Sequence, residues 1–132
     1  MTYSLESEIA EKLDAILQRF KLTGRMKDFY DIYYLSQTFD FDGLKLQIAI
    51  EEMIQNHGTG YNADSFKHIT ELVDGENMQI RWQRFLRSLH IPDIPFSQVI
   101  DWITTFIEPL WDAFLKEEEF QKQWSAENSK WN

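Results

Sequence analysis

Apolar residues recur at helical spacing in several segments of this chain, and short polar connections separate the segments. Between Ile9 and Phe20 they repeat every three or four positions, which predicts an amphipathic helix over about residues 5–20. Ser4 or Ser7 is suited to cap the start of this helix, because a side-chain oxygen there can accept a hydrogen bond from a free backbone N–H group.

The same periodicity continues along the chain and predicts further helices at about residues 26–37, 44–54, 63–72, 80–89 and 97–115. Pro109 should either kink the last of these or begin a new helix. No alternating pattern is long enough to predict a strand. The expectation is therefore an all-α fold, a single bundle of six or seven helices spanning residues 1–132, with residues 121–132 as a frayed polar tail.

Composition supports one globular, aromatic-rich domain. The chain has 132 residues, 15% of them aromatic, and no cysteine, which rules out disulfides and thiolate metal sites. We find no signal peptide and no apolar run long enough for a membrane span, so a cytoplasmic protein without membrane contact is expected. The net charge of −9 disfavours direct nucleic-acid binding by this domain alone, since such binding depends on basic surface.

Lys12 is the first candidate for chemistry. Glu8 precedes it by one helical turn, and on spacing alone the two are expected to form an ordinary surface ion pair opposite the apolar stripe, stabilising the helix by about 0.2–0.5 kcal/mol.

A second charged block, formed by Arg25, Lys27, Asp28 and Asp31, opens the second helix. Lys27 and Asp31 are spaced to pair along the helix, and the two aspartates can share a face. Carboxylates beside cations can hold a metal-bound triphosphate or position a nucleophile. A surface ion pair with compensation of the helix dipole explains the same pattern.

Other motifs have simpler explanations. Asp40 and Asp42 resemble the paired acids of a nucleotidyl-transfer metal site, but they precede a helix without a Gly-Ser turn, which favours capping. The three histidines lack partners at the spacing of zinc ligands. Arg84 and His90 have the spacing of a helical ribonuclease motif, which leaves that activity as a third and weaker alternative.

Two sequence blocks together indicate a protein family more specifically than the helical periodicity does. They resemble the C-terminal half of the AbiEii/AbiGii-type nucleotidyltransferase toxins of bacterial abortive-infection and toxin–antitoxin systems. The blocks are Ser4-Leu5-Glu6-x-x-Ile9-Ala10-Glu11-Lys12-Leu13 and Arg25-Met26-Lys27-Asp28-Phe29-Tyr30-Asp31.

The resemblance implies metal-dependent transfer of a nucleotide from a nucleoside triphosphate, with Mg²⁺ as the metal and tRNA as one kind of acceptor in related toxins. By this resemblance Lys12 contacts triphosphate oxygens, and Asp28 orients Lys12 or a reacting hydroxyl. Arg25, Lys27 and Asp31 complete the nucleotide-binding set, with Asp31 holding one of the two cations. The family's site predicts Lys12 and Asp28 exposed on one concave face.

The family's Gly-Ser turn and its strand acids, which bind the metal, have no counterpart in the sequence. We therefore expect no metal ligands in this chain and little activity from it alone, as for a truncated, split or reduced gene product. Expected partners are a separately encoded catalytic lobe or an antitoxin, with a homodimer as a further alternative. A non-catalytic helical interaction module is the alternative function.

Overall fold

The computed structural model describes residues 4–19, 26–57, 63–71, 75 and 77–132. Within these ranges the fold is six helices and one small sheet, which confirms the predicted all-α class. The helices are α1 Leu5–Arg19, α2 Met26–Thr38, α3 Gly43–His57, α4 Ala63–Glu71, α5 Met78–Ser88 and α6 Phe96–Leu115. The strands are β1 Phe41–Asp42, β2 Gln123–Ser125 and β3 Lys130–Trp131.

Helix α6 forms the centre of the bundle and contacts α2, α3, α4 and α5. Its buried residues recur along most of its length, as an apolar helix surrounded by others requires. The helix continues through Pro109, so no new helix begins there.

The predicted start of α1 is confirmed in detail. Ile9, Leu13 and Ile16 are buried, and the hydroxyl of Ser4 accepts a hydrogen bond of 3.1 Å from the backbone N–H of Ser7. Ser4 is therefore the capping residue of the two candidates. The predictions for residues 20, 25 and 72 lie outside the described residues.

The acids before α3 are structural. The Asp42 carboxylate accepts a hydrogen bond of 3.1 Å from the backbone N–H of Leu44, as a helix cap does. Asp40 accepts instead from the backbone N–H of Ala126, at 2.8 Å, and so ties the C-terminal segment to this loop. Capping thus accounts for Asp42, and a tertiary contact accounts for Asp40.

The C-terminal segment differs from the expected frayed tail. Strands β1, β2 and β3 form an antiparallel sheet in that order, in which Trp124 lies opposite Phe41 and also opposite Trp131. Trp124 is buried against the ring of Phe106 on α6, with 4.8 Å between the ring centroids. Trp131 also packs on Phe106, with 5.7 Å between the ring centroids, and its indole N–H donates to the Phe106 carbonyl at 3.0 Å. These two tryptophans, the strand pairing and the bond from Ala126 to Asp40 together order the segment that the sequence predicts as frayed.

Within the described ranges, no helix has the length and apolar character needed to cross a membrane.

Candidate functional site

The site centres on an ion pair between the first two helices. The ammonium of Lys12 on α1 lies 3.0 Å from a carboxylate oxygen of Asp31 on α2. The side chains of Lys12 and Asp31 are only 23% and 22% exposed, so the pair is largely shielded from water. Lys12 therefore lies beside the apolar stripe of α1 and faces α2, not on the outer surface where spacing to Glu8 alone had placed it.

Lys27 brings a second cation to the same carboxylate. Its ammonium lies 2.9 Å from the same oxygen of Asp31, and the predicted pair along α2 is present. Unlike Lys12, Lys27 is 62% exposed. Asp31 thus joins one shielded and one exposed ammonium on adjoining helices.

Asp28 lies deeper than expected. It is only 3% exposed, so it does not share an open concave face with Lys12, and this part of the prediction is corrected. It lies one turn before Asp31 on the part of α2 that packs into the bundle, where Phe29 and Ile32 are also buried. Its charge still acts on Lys12. We name Lys12, Lys27, Asp28 and Asp31 together the lysine–aspartate cluster.

The cluster favours the charged form of both central groups. Burial by itself lowers the pKa of Lys12, but the hydrogen bond and charge of Asp31 more than offset it, so the pKa lies above its ordinary value. The charges of Asp28 and Glu8 act in the same direction. Burial raises the pKa of Asp31, but the bonds from Lys27 and Lys12 outweigh it and leave that pKa below its ordinary value.

These shifts predict a stability window in pH. The contribution of the Asp31 carboxylate to the free energy of unfolding is present above its unfolded pKa of about 3.9. It is lost as the pH falls through the lower pKa that this group has in the folded protein. The contribution of Lys12 is present below about 10.4 and is lost as the pH rises through its higher folded pKa. Asp31→Asn should therefore destabilise the protein most between about pH 5 and 9, as measured by urea unfolding.

The exposed carboxylate of Asp93 supplies the control for this measurement, because Asp93→Asn should change the unfolding free energy by no more than about 0.5 kcal/mol. An Asp31→Asn cost that stayed constant down to about pH 2 would show that the carboxylate charge is not what stabilises the helix pair.

The cluster is suited to contact an anion. An ammonium has three N–H donors, and the bond to Asp31 uses one of those on Lys12. The remaining donors sit on a group whose position is already held between two helices. Such a group can meet a phosphate oxygen at little further cost in side-chain entropy.

The remaining predicted site residues have separate positions. Arg25 lies outside the described residues. Arg84 lies within α5, whereas His90 follows the end of that helix with a φ of 58°. Among the described residues, no group of three or more acids and histidines has the arrangement of a metal site.

Sequence reasoning missed the partnership of Lys12 with Asp31. A signal was present: Lys12 is three residues after Ile9 and four before Ile16, so it lies at the border of the buried stripe. A charge at such a border needs a partner from the neighbouring element. The charged block of α2 is the nearest source in the sequence.

Fold and cluster together define an all-α protein with a shielded, charged site between its first two helices. A family model described as the nucleotidyl transferase AbiEii toxin of type IV toxin–antitoxin systems matches residues 1–126. The chain belongs to this family, as the two sequence blocks had indicated. No curated protein and no solved structure matches significantly.

Proposed function

We propose that this helical unit supplies phosphate-contacting residues, Lys12 first among them, to a nucleotidyl-transfer reaction. The observation that carries the proposal is the Lys12 ammonium, held 3.0 Å from Asp31 in a position shielded by α1 and α2. Phosphoryl transfer depends on positioned charge more than on covalent chemistry from the protein. A lysine fixed in this way contributes such charge.

The other members of the cluster take supporting roles in this proposal. Asp31 positions Lys12 and Lys27, since one of its oxygens accepts from both. Asp28 is buried, which favours electrostatic orientation of Lys12 over contact with a reacting hydroxyl. Lys27 is exposed and adds a second positive charge toward the ligand, and Arg25 is assigned to the same set by resemblance alone.

The carboxylates of the cluster are poorly suited to coordinate Mg²⁺. One oxygen of Asp31 is occupied by two ammonium groups, and Asp28 is almost fully buried. Magnesium prefers accessible carboxylate oxygens and keeps several waters. We therefore assign the metal ligands of the family reaction to residues outside this cluster, and the cluster without them is expected to transfer nucleotide poorly. Family membership is consistent with an antitoxin partner.

The experiment is a titration of the chain with each nucleoside triphosphate and Mg²⁺, followed by amide NMR. Wild type should bind weakly, and Lys12→Ala should weaken binding about tenfold, because one charge-assisted contact is lost. Lys130→Ala is the matched control, since it removes an exposed lysine on β3 and should leave binding unchanged.

Undiminished binding by Lys12→Ala would refute the assigned role of Lys12. If no triphosphate perturbs any amide of α1 or α2, the non-catalytic interaction module becomes the better account. A specific observation favours that second candidate: an open, partly apolar groove lies between α3 and the end of α6.

A further inference from the structure

The groove between α3 and the end of α6 has an apolar floor. Its volume is about 820 Å³, and the apolar lining comes from Leu44, Ile48, Phe114 and Leu115. Ile48 and Leu115 remain 46% and 40% exposed, although both are large apolar side chains. Solvent contact with apolar side chains that line one concave surface is unfavourable and is relieved when a partner covers them.

The rim of the groove is acidic. Four of the residues that line the groove are glutamates: Glu51, Glu117, Glu118 and Glu119. Among the described residues that line it there is no lysine or arginine. Beyond Ile48 the surface continues into a smaller groove, to which Glu6 and Glu52 contribute two further carboxylates and Lys45 one ammonium. The charge next to the exposed apolar residues is therefore strongly negative.

The wall of the groove is built before any partner arrives. The side-chain amide of Gln47 donates to the Glu118 carbonyl at 2.6 Å, and its oxygen accepts from the backbone N–H of Phe120 at 2.8 Å. At Gly43 an added Cβ would lie 2.4 Å from the carbonyl oxygen of Lys122, so the chain passes very close to α3. A wall pinned in this way loses little conformational entropy on binding.

Glu117 occupies a backbone position that favours glycine. Its φ is 56°, in the left-handed region, where it ends α6 while the N–H of Glu118 bonds back to Ala113 at 2.9 Å. A glycine would satisfy this turn with less strain. A glutamate at this position instead places a carboxylate on the rim of the groove, and a strained backbone position of this kind is often found at a functional surface.

We propose that this groove binds an amphipathic helix of a protein partner whose apolar face is bordered by lysine or arginine. The apolar floor receives the hydrophobic residues of such a helix, and the glutamates pair with its cations. Anionic ligands, such as a lipid headgroup or nucleic acid, meet repulsion there. A symmetric second copy would bring the rim glutamates of both chains together, and each chain already carries a net charge of −9.

The test uses the full chain and a fluorescein-labelled helical peptide of about 14 residues, built from leucine at helical spacing with lysine elsewhere. One control peptide replaces every lysine by glutamate, and a second replaces every leucine by serine. Anisotropy should show binding of the first peptide only, weakening at least fivefold as ionic strength rises from about 0.05 to 0.5 M. Amide NMR should map the perturbation to α3 and residues 113–120.

Ile48→Ser should weaken binding of the leucine–lysine peptide about tenfold, and Glu51→Gln with Glu117→Gln should reduce its salt dependence. Ile80→Ser is the matched control, because Ile80 is equally exposed but lies on α5, and binding should stay within about twofold of wild type. Circular dichroism confirms that each variant is folded.

Several results would overturn the proposal. These are no binding of the leucine–lysine peptide, equal binding of the leucine–glutamate peptide, or equal losses from Ile48→Ser and Ile80→Ser. Sedimentation showing a dimer of the chain that Ile48→Ser dissociates would assign the groove to a second copy instead.

Discussion

Replacing Trp124 with alanine is expected to lower the free energy of unfolding by about 3–5 kcal/mol. The side chain is fully buried, although it lies in a short strand near the end of the chain. Its ring lies 4.8 Å from that of Phe106 and 5.4 Å from that of Trp131, centroid to centroid. Its indole N–H donates to the carbonyl of Ser36 at 2.7 Å, so the variant also leaves a buried acceptor on α2 without that bond.

The measurement is urea unfolding followed by far-ultraviolet circular dichroism, since loss of a tryptophan alters fluorescence directly. Tyr34→Ala is the control, because it removes an aromatic ring that is about half exposed on α2 and should cost less than about 1 kcal/mol. A Trp124→Ala cost no larger than that of Tyr34→Ala would mean that the C-terminal sheet does not stabilise the bundle.

Replacing Trp82 with alanine is expected to have an effect of similar size, about 3–5 kcal/mol. Trp82 joins α5 to the rest of the bundle: its ring lies 5.5 Å from Phe96 and 6.5 Å from Tyr30 of α2. The indole N–H donates to the carbonyl of Ile94 at 2.7 Å and fixes the segment that leads into α6.

Trp82→Phe separates the contribution of ring packing from that of the hydrogen bond to Ile94. It keeps an aromatic ring in the core but removes the N–H donor, so we expect a loss of about 1–3 kcal/mol from the unsatisfied carbonyl and the smaller ring. Ile80→Ala, an exposed change on the same helix, should stay within about 0.5 kcal/mol of wild type. If Trp82→Phe were as costly as Trp82→Ala, the hydrogen bond would dominate over packing.

Much of the helical architecture follows from local patterns. The stripe of Ile9, Leu13 and Ile16 predicted α1 because a helix places residues three and four apart on one face. Ser4 and Asp42 cap helices as their types and positions indicate, since capping depends only on neighbouring backbone. Helical periodicity and capping residues of this kind were sufficient to predict an all-α fold.

The small sheet could not be predicted in the same way. Its strands are two or three residues long, which is too short for an alternating pattern to register. Trp124 pairs with Phe41 across more than half the chain, and only that distant partner makes the segment a strand. Burial of the ring against α6 then stabilises it.

The lysine–aspartate cluster, too, has features that the sequence predicts and features that only the packing of the helices explains. The sequence by itself determined which residues carry the charge, the pairing of Lys27 with Asp31 one helical turn apart, and the resemblance that family membership confirms. Only the tertiary structure decided that Lys12 meets Asp31 across two helices and that Asp28 is buried beneath the surface. The physical reason is that helical periodicity specifies a residue's own face, whereas the side chain it meets depends on how the helices pack.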